Sequence, residues 1–141
     1  MIVLDASVLV AHLNPDDANH ARAHVALLGA AEHPLAASCL TLAEVLVGPA
    51  RAGRIEQAKA MLAGMEIEEI SVGAGSAERL ARLRAETGLR LPECCVLLAA
   101  QIVQADGVLT FDERLDRRAQ QLGIGWVPPQ PVPPGSGSAD V

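Results

Sequence analysis

Apolar positions along the chain follow two rhythms. Four short stretches, Ile2 to Leu4, Leu35 to Cys39, Gly107 to Thr110 and Ile124 to Val127, are largely apolar without alternation, as in strands buried on both faces of a parallel sheet. A fifth, Glu66 to Ser71, separates isoleucines by acids and predicts a weaker strand at a sheet edge. Between these runs the spacing turns helical. The chain goes straight from Asp5 into a helix over Ala6–Leu13. Asn14-Pro15-Asp16-Asp17 then offers a cap, a first-position proline and first-turn acids for a helix reaching Gly29. Thr41-Leu-Ala-Glu44 opens another, which Gly48-Pro49 breaks, and Ile55 to Leu62 resumes. Ser76 caps a helix ending at Gly88. Leu91-Pro92-Glu93 starts one that is apolar nearly all round from Cys94 to Val103 and therefore buried. A polar helix follows Asp112 and ends near Gly123. Strand and helix alternating in this way predict an α/β fold, a doubly wound parallel sheet whose right-handed crossovers place helices on both faces.

The 141 residues suffice for one domain with a proper core, set at residues 1–127. From Pro128 onward, five prolines in seven residues and then Gly-Ser-Gly-Ser predict a polyproline-II-like and then disordered tail. Half the residues are hydrophobic, but there is one Phe, one Trp and no Tyr, which disfavours modules that stack bases on aromatic platforms. The net charge of −6 excludes bulk attraction to a phosphate backbone; contact with RNA would need cations as intermediaries. Arginines do cluster, at Arg51 and Arg54 beside Lys59, at Arg79, Arg82, Arg84 and Arg90, and at Arg114, Arg117 and Arg118, a pattern that solvated helix faces also produce. Neither a secretory leader nor a bilayer-spanning run is visible, so a cytoplasmic protein with no membrane contact is expected. Cys39, Cys94 and Cys95 are too few and too badly spaced for a disulfide scaffold or a metal knuckle and read as small buried hydrophobes.

The acids are placed more informatively. Asp5 ends the first strand, Glu44 opens the helix after the second and Asp112 follows the fourth. In a parallel sheet these positions share the carboxyl-end rim, where open α/β sheets bind ligands. Glu93 opens a helix preceded by a helix, so only tertiary packing can bring it there. Two unit charges ~4 Å apart repel by about 4 kcal/mol at an effective dielectric of ~20; converging carboxylates must take up protons or bind cations. An all-oxygen donor set suits Mg²⁺ or Mn²⁺, and carboxylate-held Mg²⁺ serves phosphodiester chemistry. Each acid also has an architectural reading. Thr41-x-x-Glu44 matches a capping box, while Glu93 and Asp112 can be first-turn acids favoured by the helix dipole.

Four segments taken together, I-V-L-D-A-S-V-L-V around Asp5, T-L-A-E-V around Glu44, L-P-E-C-C-V-L-L-A-A around Glu93 and L-T-F-D-E-R-L around Asp112, resemble the PIN-domain ribonuclease toxins of the VapC type, across residues 1–127. The resemblance implies a three-layer, Rossmann-like fold with a five-stranded parallel sheet. It also implies a Mg²⁺- or Mn²⁺-dependent endoribonuclease acting on structured RNA, a homodimer, and inhibition by a cognate VapB-like antitoxin. Asp5 and Asp112 would be principal metal ligands, Glu44 would complete the metal site or hold a coordinated water, and Glu93 would be the fourth catalytic acid and metal ligand. Ser7, Thr110 and, one turn after Asp112, Asp116 would support them from behind; Asp116 can equally pair with an arginine on the surface. Glu93 departs from the family, which usually has Asp in L-P-D; the extra methylene moves the carboxylate by ~1.5 Å.

His20 and His24 stand one helical turn apart but lack the glutamate of a zinc-protease motif. No dinucleotide-binding or P-loop glycine pattern occurs. Two other readings remain: a PIN-like binding subunit that engages an antitoxin without cleaving RNA, and an unrelated phosphoacceptor domain with Asp5 as nucleophile, for which no suitably placed lysine is apparent.

Overall fold

The computed structural model describes residues 1–128. The tail beyond lies outside the described residues. The element order is β1 (Ile2–Leu4), α1 (Ala6–Leu13), α2 (His20–Gly29), β2 (Leu35–Ser38), α3 (Cys39–Arg51), α4 (Ile55–Gly64), β3 (Glu68–Ile70), α5 (Ser76–Thr87), α6 (Leu91–Ile102), β4 (Gly107–Leu109) and α7 (Glu113–Gln121). Every strand pairing is parallel, in the order β3-β2-β1-β4. β1 is therefore central, with Val3 opposite Ala36 on one side and Val108 on the other.

Strand alternation divides the core in two. Val3, Ala36 and Val108 face a cluster built with Leu83, Leu97, Ala100 and Leu115 from α5, α6 and α7. Ile2, Leu4, Ala37 and Leu109 face the other, built with Val8, Leu9, Leu27, Val45 and Leu62 from the helices α1 to α4. A period of two along each strand thus serves two helical layers. The run from Glu93 to Ala100 in α6 is buried throughout, as its all-round apolar pattern requires.

Among the described residues the sheet has four strands rather than five. Val108 donates its N–H to the Ile124 carbonyl at 2.7 Å, but the expected last strand then makes only the isolated bridge Val108↔Gly125. Trp126 lies over the start of β4, where a side chain on Gly107 would meet its Cβ at 2.7 Å, and Pro128 has no N–H to extend a ladder.

Boundaries shift for local reasons. Residues 14–19 form turns rather than the first turns of a helix: the Asn14 and Asp17 side chains accept the N–H groups of Asp16 and Asn19 at 3.1 and 2.7 Å, a short-range alternative to helical bonding. Gly48-Pro49 does not break α3, because Pro49 falls in its last turn and removes a single donor there. The stop comes instead at Gly53, with φ of 67°.

Candidate functional site

Asp5 stands where β1 becomes α1 and is its N-cap. Its Oδ2 accepts the Ser7 hydroxyl at 2.6 Å and the Thr110 hydroxyl at 2.8 Å. The same two hydroxyls accept the N–H groups of Phe111 and Asp112, both at 3.0 Å. Ser7 and Thr110 therefore stitch the end of β1 to the turn after β4. Asp112 caps α7, its Oδ1 taking the N–H groups of Arg114 and Leu115 at 2.9 Å each.

Glu44 does not cap its helix. Ser38 does, accepting the Thr41 N–H at 3.0 Å, and Glu44 lies beyond the first turn. Its carboxyl group is held above the usual range, first by partial burial of the acid group and then by the Asp5 charge; Arg90 opposes this and Glu93 adds to it. Glu93 is 8% exposed and reaches back to its N-cap residue, Arg90, at the start of α6. One oxygen accepts the Arg90 backbone N–H at 2.9 Å and the other the Arg90 guanidinium at 3.0 Å. Hydrogen bonding to Glu93, its charge, and the more distant charges of Glu44 and Asp112 raise the Arg90 pKa further.

Asp5, Glu44, Glu93 and Asp112 line one cavity of about 450 Å³, together with Ser7, Asp17, Asn19, Arg90 and Phe111. Packing brings Glu93 to the rim that the sheet topology sets for the other three acids. Asp116 is not among the lining residues; it accepts a hydrogen bond from Gln120 at 2.8 Å, one turn along its own helix. Asp17, Asn19, Arg90 and Phe111 were not distinguishable from sequence. The first two read as helix-start residues, and Arg90 as one of many surface arginines. Arg22 stacks on Phe111, 4.1 Å from the ring centre, and fixes that wall from α2.

The ligating side chains this cavity offers are carboxylates and hydroxyls, without histidine or cysteine, the chemistry of a hard divalent cation. Among the hydrogen bonds of the described residues, Asp5 Oδ1, both Glu44 oxygens and Asp112 Oδ2 accept none, whereas both Glu93 oxygens are engaged. The acids stand as separate walls: among the described residues no three His, Cys, Asp or Glu side chains form a ready-made ligand cage. The donor set fits such a cation in kind, with Asp5, Glu44 and Asp112 supplying the open oxygens.

A family model described as "PIN domain" matches residues 2–121. The chain belongs to the PIN-domain family. Solved structures agree on the fold. VapC20 of Mycobacterium tuberculosis, described as a sarcin-ricin loop cleaving toxin, superposes with a TM-score of 0.71 at 20% identity, covering 92% of this chain and all of that one. A toxin–antitoxin complex from Klebsiella pneumoniae gives 0.62 at 24% identity over 79% of this PIN domain and 87% of that chain. VapBC2 of Rickettsia felis, solved on a fragment of its promoter DNA, gives 0.63 at 21% over 83% and 92%. No curated protein matches this chain. Among the described residues, no helix of this PIN domain is long and apolar enough to cross a membrane.

Proposed function

We propose that this PIN domain is a Mg²⁺- or Mn²⁺-dependent endoribonuclease, the toxin of a toxin–antitoxin pair. The observation that carries the reading is the convergence of Asp5, Glu44, Glu93 and Asp112, from four separate elements, on one cavity at the strand-end rim. Asp5, Glu44 and Asp112 would hold the cation, which when bound polarises phosphoryl oxygens and acidifies water. The chain's own groups then do three things. Ser7 and Thr110 fix the rotamer of Asp5 through one of its oxygens and leave the other open. The α7 amides fix Asp112 in the same way. Arg90, 75% exposed at the lip, presents donors suited to a phosphate oxygen.

The family and the toxin–antitoxin complexes among the structural relatives support an RNA substrate, a VapB-like antitoxin, a homodimer and a cytoplasmic setting. Asp5→Asn keeps the shape of the side chain and removes its charge. Cleavage of a structured RNA in Mg²⁺ is expected to fall more than ~100-fold, beyond the 10–100-fold usual for groups behind the ligands. Unchanged cleavage would overturn the assignment. A second reading, a PIN-like subunit that binds an antitoxin without cleaving RNA, draws on the engagement of both Glu93 oxygens. In that case wild type and Asp5→Asn are equally inert and bind antitoxin equally.

A further inference from the structure

Of the five acids that line the cavity, Asp5, Asp17, Glu44 and Asp112 keep an open oxygen and Glu93 does not. Glu93 is held at both oxygens by a single residue, Arg90, through its backbone N–H at 2.9 Å and its guanidinium at 3.0 Å. The first bond has the form of one half of a capping box, in which a side chain at the third helical position reaches back to the N-cap amide. The second is an ion pair that is nearly buried on the carboxylate side and open on the arginine side. The two bonds use different oxygens, so rotating Glu93 toward the open oxygens of Asp5, Glu44 and Asp112 would break both. It would also leave the N-cap amide of α6 without its protein partner.

We propose that Glu93 is not a cation ligand but one half of an Arg90–Glu93 clasp that keeps this carboxylate out of the coordination set. The cation site is then made by three acids, and Arg90 is a positioning residue that acts through Glu93. The clasp accounts for glutamate at this position: its reach places the carboxylate on its own helix cap, while its charge still lines the cavity and anchors Arg90 at the lip. Thr110 and Ser7 do the opposite for Asp5, gripping one oxygen and freeing the other. The inference rests on the cation-site reading given above, and its test separates the two.

Carbon-detected NMR of the wild-type chain titrated with Mg²⁺ reads each carboxylate directly. The side-chain carboxyl carbons of Asp5, Glu44 and Asp112 are expected to shift together at one Mg²⁺ concentration while that of Glu93 stays fixed. Movement of Glu93 in step with the other three overturns the clasp; absence of movement in all four overturns the cation site itself. Calorimetric titration with Mn²⁺ gives a second readout. Asp5→Asn is expected to weaken binding at least tenfold. Glu93→Gln, which preserves the capping bond, is expected to stay within ~3-fold of wild type, below the loss seen even for groups that only support ligands. A loss in Glu93→Gln equal to that in Asp5→Asn overturns the clasp, and wild-type binding in Asp5→Asn overturns the cation site.

Discussion

The rim cavity and a second cavity lined by ionisable groups handle charge differently. The rim cavity holds five carboxylates, of which Asp5 and Asp112 are each tied at one oxygen by hydroxyls or amides and left open at the other. The second, of about 600 Å³, is lined by His12, His24, His33, Glu32 and Glu66 among apolar residues such as Leu27 and Met65. There His12 of α1 faces His20 and His24 of α2, each ring centre 6.3 Å away and the planes nearly parallel. His20 Nδ1 is bonded to the Ala11 carbonyl at 2.9 Å, while the buried His12 Nδ1 has no partner. Carboxylates near neutral pH stay charged and need a counter-ion; imidazoles can pack as neutral rings by giving up a proton. Converging acids therefore point to a ligand, and converging histidines to a packing solution that depends on pH.

The largest expected effect breaks the acidic side of this contrast. Asp112→Asn should match Asp5→Asn in RNA cleavage, both down more than ~100-fold, because each supplies an open oxygen that nothing else replaces. Steady-state cleavage of one RNA in Mg²⁺ measures it.

Next comes Thr110→Val, which keeps the shape and deletes the hydroxyl shared by Asp5 and the Asp112 amide. It should cost about 1–3 kcal/mol of stability, read by urea unfolding, and 10–100-fold in Mn²⁺ affinity. A stability loss with unchanged affinity would mean that the hydroxyl braces the turn without orienting Asp5.

The histidine side predicts a smaller, pH-dependent effect. Burial first, then the neighbouring His20 and His24, lower the His12 pKa below its ordinary 6.5. Above pH 6.5 the ring is neutral in folded and unfolded chains alike, and its contribution is complete. As pH falls below 6.5 the unfolded chain takes the proton more readily, so stability declines until the folded-state pKa is passed. Urea midpoints for wild type should drop over that interval more than those of His12→Leu. Identical slopes would show that folding does not lower the His12 pKa.

The smallest effect concerns Asp116. Bonded to Gln120 away from the cavity, it should tolerate replacement by Asn within about 0.5 kcal/mol and without loss of Mn²⁺ binding.

Elements were legible where local rules dominate. β1, α1 and α6 follow from runs whose burial leaves little choice, and Asp5 was identifiable because short strands deliver their last residues to a common rim; Ser7 and Thr110 came from the family resemblance. The misreadings have the same origin in reverse. Asn14 and Asp17 carry the composition of a helix start, yet their side chains close turns on neighbouring amides instead. Thr41 and Glu44 satisfy the capping-box spacing, but Ser38 lies one turn earlier and takes the cap, which leaves Glu44 to face Asp5. The fifth strand is apolar enough in sequence, but Gly125 makes a single bridge and Trp126 crosses the glycine at the start of β4.

Sequence by itself determined that this chain forms a parallel α/β domain of the PIN family with acids at the ends of its strands, because strand period and chain direction fix which residues reach that edge. Only the tertiary structure decided that α6 carries Glu93 to the same cavity, that Arg90 occupies both its oxygens, and that Asp116 stays outside. Those outcomes depend on how a helix with no preceding strand packs across the sheet, and on which of several reachable donors a flexible side chain meets, and spacing along the chain encodes neither.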